Sequence, residues 1–200
     1  MKTETAAVFD FDGTLTKRDT LFPMALFFAR NRHVISFLKY CFYYGLFKFG
    51  LISNESLKIR FAACFFKGKG IEEIQDLLLV FVNKQLSLRE EVYNAFKEHL
   101  NKGDKTIIVS ANFDVVVESW LKSVNADIDA VAATKLHVHA GVYTGALEGA
   151  VCRGKNKAER LQAQIDISNY HIISYADEVS DVAIMNLANK QVWVGNGING

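Results

Sequence analysis

Ala6-Ala7-Val8-Phe9-Asp10-Phe11-Asp12-Gly13-Thr14 is the stretch on which the fold turns. Four apolar residues in a row read as a buried strand, and the run stops at two carboxylates and a glycine. If the strand persists, carboxylates at i and i+2 face the same way, and Gly13 lets the chain turn sharply after them. A close pair of carboxylates can bind Mg²⁺ and divide two roles, nucleophile and acid/base. The plain alternative is an acidic turn after a strand.

Outward from this stretch, runs 106–109, 172–175 and 191–194 read as three further buried strands. The first runs into Ser110-Ala111-Asn112 and the second into Ala176-Asp177-Glu178. Open α/β sheets carry their sites at the carboxyl ends of such strands. Helical patterns lie between. Ile71, Ile74, Leu78 and Phe81 share one face, and Ser87 with Glu90 predicts a capping box opening a helix to about residue 101. Val116, Trp120 and Val124 mark another helix, and 155–165 and 179–189 two more. Segment 134–147 alternates around Ala140-Gly141 and predicts a β-hairpin. The fold class is therefore a doubly wound, Rossmann-like parallel α/β sheet with an inserted helical cap and a small hairpin. The cap is the surplus between the first two strands, 19–85, leaving 1–18 and 86–200 as the catalytic core.

With 200 residues, half of them hydrophobic and 22% charged, the chain can bury a real core, which excludes a disordered protein. A net charge of +1 argues against a general nucleic-acid binder. Cys41, Cys64 and Cys152 form no CxxC pair, so neither a disulfide framework nor a zinc ribbon is indicated. The longest uncharged aromatic run, 40–47, has 8 residues where a spanning helix needs about 20, and no signal-peptide pattern opens the chain. A cytoplasmic protein is expected. Charge is nonetheless uneven. Segment 20–70 holds Arg30, Arg32, Lys39, Lys48, Lys58, Arg60, Lys67 and Lys69 against Glu55 alone, with 10 of the 15 phenylalanines. Such a surface suits peripheral contact with an anionic membrane, or a large anionic substrate. Equally, the aromatics could form a small core of the cap's own beneath solvated charges.

Three more clusters complete the pattern. Ser110 offers a hydroxyl beside backbone N–H groups, a natural phosphate ligand. Gly154-Lys155-Asn156-Lys157 opens a helix with a fixed positive charge. Asp177 and Asp181 stand four apart across a loop and a helix start, where both can meet one hard cation. In this order, and with the Cys152-x-Gly154-x-x-Lys157 spacing, the chain resembles the haloacid dehalogenase superfamily. Within it the chain is most similar to the phosphoserine-phosphatase-like branch, which carries a helical cap after the first motif.

The resemblance implies specific roles. Asp10 would attack phosphorus and form an aspartyl-phosphate, and Asp12 would protonate the leaving alcohol and then activate water. Mg²⁺ would sit among the Asp10 carboxylate, the Asp12 backbone carbonyl and Asp177, with Asp181 as ligand or support. Ser110 and Lys157 would hold phosphate oxygens, and Gly13-Thr14 is the pattern of the family's phosphate-ester enzymes. Asn112 would contact substrate or phosphate, with a helix N-cap as its alternative. Asp19, nine after the nucleophile, stands where phosphoserine phosphatases carry a glutamate for the substrate's amino group; the shorter acid leaves serine recognition open. Arg60 is a candidate ligand for a substrate carboxylate, and Glu178 adds negative charge near the metal. The substrate would be a small phosphorylated metabolite or, since the branch includes a phosphatidylglycerophosphate phosphatase with an apolar cap, a lipid phosphate. The alternatives are transfer to an alcohol acceptor, or a membrane- or partner-binding module without turnover. His137 and His139 share a strand face but lack a third metal ligand.

Overall fold

In the computed structural model, residues 4–31 and 33–195 are described. Six strands form one sheet in the order β4-β3-β2-β1-β5-β6. They are β1 Glu4–Phe9, β2 Lys105–Phe113, β3 Ala130–His139, β4 Val142–Glu148, β5 Tyr170–Ala176 and β6 Lys190–Trp193. All neighbours are parallel except β3 and β4. The doubly wound α/β class is therefore present, with two differences of detail. The hairpin is not a separate appendage, because its first strand pairs in parallel with β2 and extends the main sheet. And β2 continues past Val109 through a register shift, so Ser110 and Asn112 lie in the strand rather than beyond it.

Side-chain alternation along β1 explains the layering. Ala6 and Val8 pack on one face with Ile107, Val109, Leu161 and Ile184. Ala7 and Phe9 pack on the other with Phe96, Ile108 and Trp120. Helices α1 Leu21–Arg30, α2 Val34–Lys48, α3 Asn54–Phe65 and α4 Ile71–Gln85 follow the first motif, and α5 Glu90–Lys102 returns to the sheet. Phe28, Tyr40, Phe61 and Phe65 pack as an aromatic cluster among α1, α2 and α3. That cluster is continuous with the sheet's own core rather than an island, since Phe61 and Phe66 both meet Phe113 at the end of β2. The hairpin straps the cap down. Gly68 N–H donates to Tyr143 O at 2.9 Å, and Tyr143 N–H donates back to Lys69 O at 2.9 Å. Gly145 permits this closeness, because a side chain there would run into Ala63 and Lys67 of the cap.

Two helix starts or lengths differ from expectation. Ser87 and Glu90 make no capping box: α5 is preceded by Arg89, without a side-chain cap. The Ser87 carbonyl accepts from Lys17 N–H at 2.7 Å, and Arg89 N–H donates to Leu15 O at 2.8 Å. Pairing with the loop after the first motif took precedence over the cap. The expected helix 179–189 is only a tight turn, Val179–Asp181, and one helical turn, α8 Val182–Met185. Asn189 N–H instead donates to Ile172 O at 2.9 Å, which draws the chain into β6. The remaining helices are α6 Asp114–Ser123 and α7 Lys155–Gln164.

Candidate active site

The carboxyl ends of β1, β2 and β5 meet the start of α7, and the chemistry-bearing side chains gather there. Asp10 leaves β1 with its N–H bound to Tyr175 O at 3.0 Å, and its carboxylate is buried. The chain then makes a wide turn, Phe11–Leu15, with Gly13 at φ +81. Lys157 Nζ donates to Asp10 Oδ1 and to Asp181 Oδ1, both at 2.6 Å, and all three groups are buried. Burial opposes a charge on Lys157, but Asp10 and Asp181 outweigh it and push its pKa up.

Asp10, Asp177 and Asp181 each offer one carboxylate oxygen, all within 4.8 Å of one another. Asp177 and Asp181 are each pushed up to about 6, by burial first and then by the Asp10 charge. Three crowded carboxylates facing one lysine are under-compensated, and a small hard cation with oxygen ligands fits that donor set. The Asp12 carboxylate is not in the cluster. It accepts from Thr20 N–H at 3.1 Å and from Asn112 Nδ2 at 2.9 Å. Its pKa is pushed up to about 8 by burial and by Asp19 and Asp10, with Lys58 opposing. Asp12 is thus set up to carry a proton near neutral pH while its neighbour Asp10 is locked to a lysine.

Ser110 is buried and lines the cleft; its Oγ accepts from Asn112 N–H at 3.0 Å. Its own proton has no acceptor among the described residues, so a phosphate oxygen can take it. Thr14 and Asn112 do not line the cleft. Thr14 Oγ1 lies 3.1 Å from both Asp10 Oδ2 and Asp177 Oδ1, its single proton serving one at a time. Asn112 caps no helix; besides Asp12, its Nδ2 binds Thr20 Oγ1 at 2.7 Å. Asp19 lines the cleft and caps the entry to α1 through Leu21 N–H at 2.8 Å.

The cap supplies a residue that composition places only within its basic excess. Lys58 of α3 is buried and reaches the same cleft as Asp12 and Asp19. Burial lowers its pKa, and Asp12 and Asp19 partly restore it. The signal was present in the spacing: Lys58, Phe61, Ala62 and Phe65 fall at i, i+3, i+4 and i+7, one buried face interrupted by one cation. Arg60, a candidate for a substrate carboxylate, is exposed and stacks over Tyr43 at 5.0 Å. Asn54 brings a buried Oδ1 without a partner to the same cleft. Glu178 does not add an isolated charge. It pairs with Arg153 at 3.1 Å and accepts from Ser180 Oγ at 2.8 Å at the cleft's rim.

The family model for haloacid dehalogenase-like hydrolases matches residues 7–186, nearly the whole of this arrangement. The chain belongs to that family. Phosphoserine phosphatases are among the proteins it is similar to. Protein CicA of Caulobacter vibrioides is 27% identical over 188 residues, covering 92% of this chain and 82% of that protein. A phosphoserine phosphatase of Wolinella succinogenes is 25% identical over 189 residues, covering 93% and 85%. A solved structure from Bordetella pertussis, of unknown function, aligns with a TM-score of 0.79 at 20% identity, over 96% of this chain and 90% of that one.

Proposed function

We propose that the protein is a Mg²⁺-dependent phosphomonoester hydrolase working through a covalent phosphate on Asp10. The observation that carries this reading is the division between two neighbouring carboxylates. Asp10 is buried and held by Lys157, whereas Asp12 is held apart by Asn112 and Thr20 with its pKa near 8. Bound at Asp10, Asp177 and Asp181, with the Asp12 carbonyl, Mg²⁺ would offset the negative charge of the phosphate. Asp10 attacks phosphorus, the bond to the leaving oxygen breaks, and Asp12 gives that oxygen its proton. Asp12, now ionised, takes a proton from water; the hydroxyl oxygen attacks phosphorus and the bond to Asp10 breaks. Ser110 and Lys157 hold the non-bridging oxygens, whose repulsion of Asp10 would otherwise bar the first step.

The cleft lining favours a compact polar ester. Apart from Gly13 and Ala111, every residue that lines it is polar or charged. Lys58 and Asp19 place opposite charges at the cap end, which suits a small metabolite bearing both an anionic and a donor group, as phosphoserine does. A lipid phosphate would enter by its head group alone. Release of phosphate from an aryl phosphate, phosphoserine and phosphatidylglycerophosphate, with and without Mg²⁺, tests the reading. Mg²⁺-dependent release that disappears in Asp10→Asn is expected. Undiminished release by Asp10→Asn would overturn the covalent step, and the preferred member of the panel assigns the substrate class.

A further inference from the structure

Helix α2 has two apolar faces, and only one is covered. At 100° per residue, Phe37, Tyr40, Tyr44 and Phe47 fall within an arc of about 80° that packs inward. Ile35, Leu38, Phe42 and Phe49 fall within about 60° on the opposite side. These four are 73%, 63%, 64% and 83% exposed. Val34 widens the stripe and Leu51 continues it past the helix end, both more than half exposed. A row of this kind over about 22 Å is far from the scattered single apolar residues of an ordinary surface.

We propose that this outer face of α2 docks on an anionic lipid bilayer. Charge decides the occupant. No acidic residue lies in α2; Lys39 lies beside the stripe and Lys48 at the helix end, its ammonium over the Tyr44 ring at 5.4 Å, and both are exposed and outside any ion pair among the described residues. Exposed Arg30 and Arg60 stand on the helices to either side, and Glu55 is the one acid in segment 20–70. A second copy on this face would bring lysines against lysines with no carboxylate of α2 between them. Anionic head groups meet the lysines while the acyl boundary takes the stripe. With 15 residues α2 is too short to cross, and no described helix is long and apolar enough to do so. The helix lies in the interface, parallel to it. The surface is separate from the catalytic carboxylates, so the inference stands or falls independently of the hydrolase reading.

Flotation with vesicles of phosphatidylcholine alone, or mixed with phosphatidylglycerol, tests it on the whole chain. Binding to the mixed vesicles only, weakening with added NaCl, is expected. Leu38→Ser with Phe42→Ser lowers partitioning by more than about tenfold without lowering the melting temperature. Lys39→Glu with Lys48→Glu removes the preference for phosphatidylglycerol. The proposal is overturned if the wild type ignores the mixed vesicles, or if the serine variant binds them equally well. It is also overturned if the wild type sediments as a dimer that the serine variant converts to monomer, which would make the stripe an interface between copies.

Discussion

Gly13 and Asp177 occupy one another's space: a Cβ on Gly13 would run into the Asp177 carboxylate. Gly13 also sits at φ +81, where any side chain is strained. The turn after the first motif and the carboxylate after β5 are therefore fitted together, although 163 residues separate Thr14 from the Asp177 it touches.

Gly13→Ala is expected to displace Asp177 from the cluster. A misplacement of about 1 Å costs roughly a hundredfold in rate. Turnover of an aryl phosphate should fall by about that factor, and the Mg²⁺ concentration for half activity should rise. Unchanged Mg²⁺ dependence would show that Asp177 moved without consequence.

Lys157→Met leaves Asp10 and Asp181 buried without their shared cation. Breaking a buried pair on one side costs about 3–5 kcal/mol, reduced here by whatever protonation the carboxylates recover. A lowered melting temperature and a loss of phosphate release together are expected. Lys157→Arg should not restore activity, since a planar guanidinium does not replace a compact ammonium held 2.6 Å from two carboxylates.

Asn112→Ala removes the side-chain donor to the Asp12 carboxylate. Asn112 acts through Asp12, so the effect should appear in the pH profile. The limb that reports Asp12 is expected to move upward, because a hydrogen bond that favoured the carboxylate is lost. Steady-state rates between pH 6 and about 9 would show it. A uniform drop at every pH would mark Asn112 as structural only.

Mg²⁺ should stabilise the protein more as pH rises from about 5 to 8. The sign follows from the raised carboxylates. In the metal-free protein Asp177 and Asp181, near 6, and Asp12, near 8, hold more protons than in the unfolded chain. Their contribution to stability therefore falls as pH rises through that window. Mg²⁺ binds the ionised forms and offsets the loss. The Mg²⁺-induced shift in melting temperature, measured against EDTA, should grow with pH and vanish in Asp177→Asn.

Lys58→Met is expected to leave the fold intact, since methionine keeps an apolar stem on the buried face of α3 and removes only the charge that meets Asp12 and Asp19. For a phosphate ester with a second anionic group KM should rise about tenfold or more, the scale of one lost charge-assisted bond. KM for an aryl phosphate should change little. An equal change for both substrates would place Lys58 with the phosphate instead.

That these side chains gather at one end of the sheet was readable in the chain because the signals are local. Asp10, Asp12 and Gly13 follow one apolar strand, Asp177 follows another, and Lys157 opens a helix after a glycine. Each placement depends on a few consecutive residues whose geometry is set by the strand or helix they adjoin. The cap was not readable in the same way. Arg60 and Lys58 stand two apart on α3, and the helix turns one onto Tyr43 and the other into the cleft. Arg32, counted among the cap's basic residues, lies outside the described residues. Ser87 carried the pattern of a helix cap, but the loop after the first motif claimed its carbonyl.

The amino-acid sequence by itself determined the parallel α/β class, the strand ends that bear the carboxylates, and the excess of basic and aromatic residues in 20–70. Apolar runs and turn residues act over short range and need no partner to be recognised. Only the tertiary structure decided that Thr14 sits between Asp10 and Asp177, that Asn112 holds Asp12, that Lys58 faces inward, and that one side of α2 is left bare. Those outcomes depend on which surfaces cover which, and burial is a property of the packed chain rather than of any segment in it.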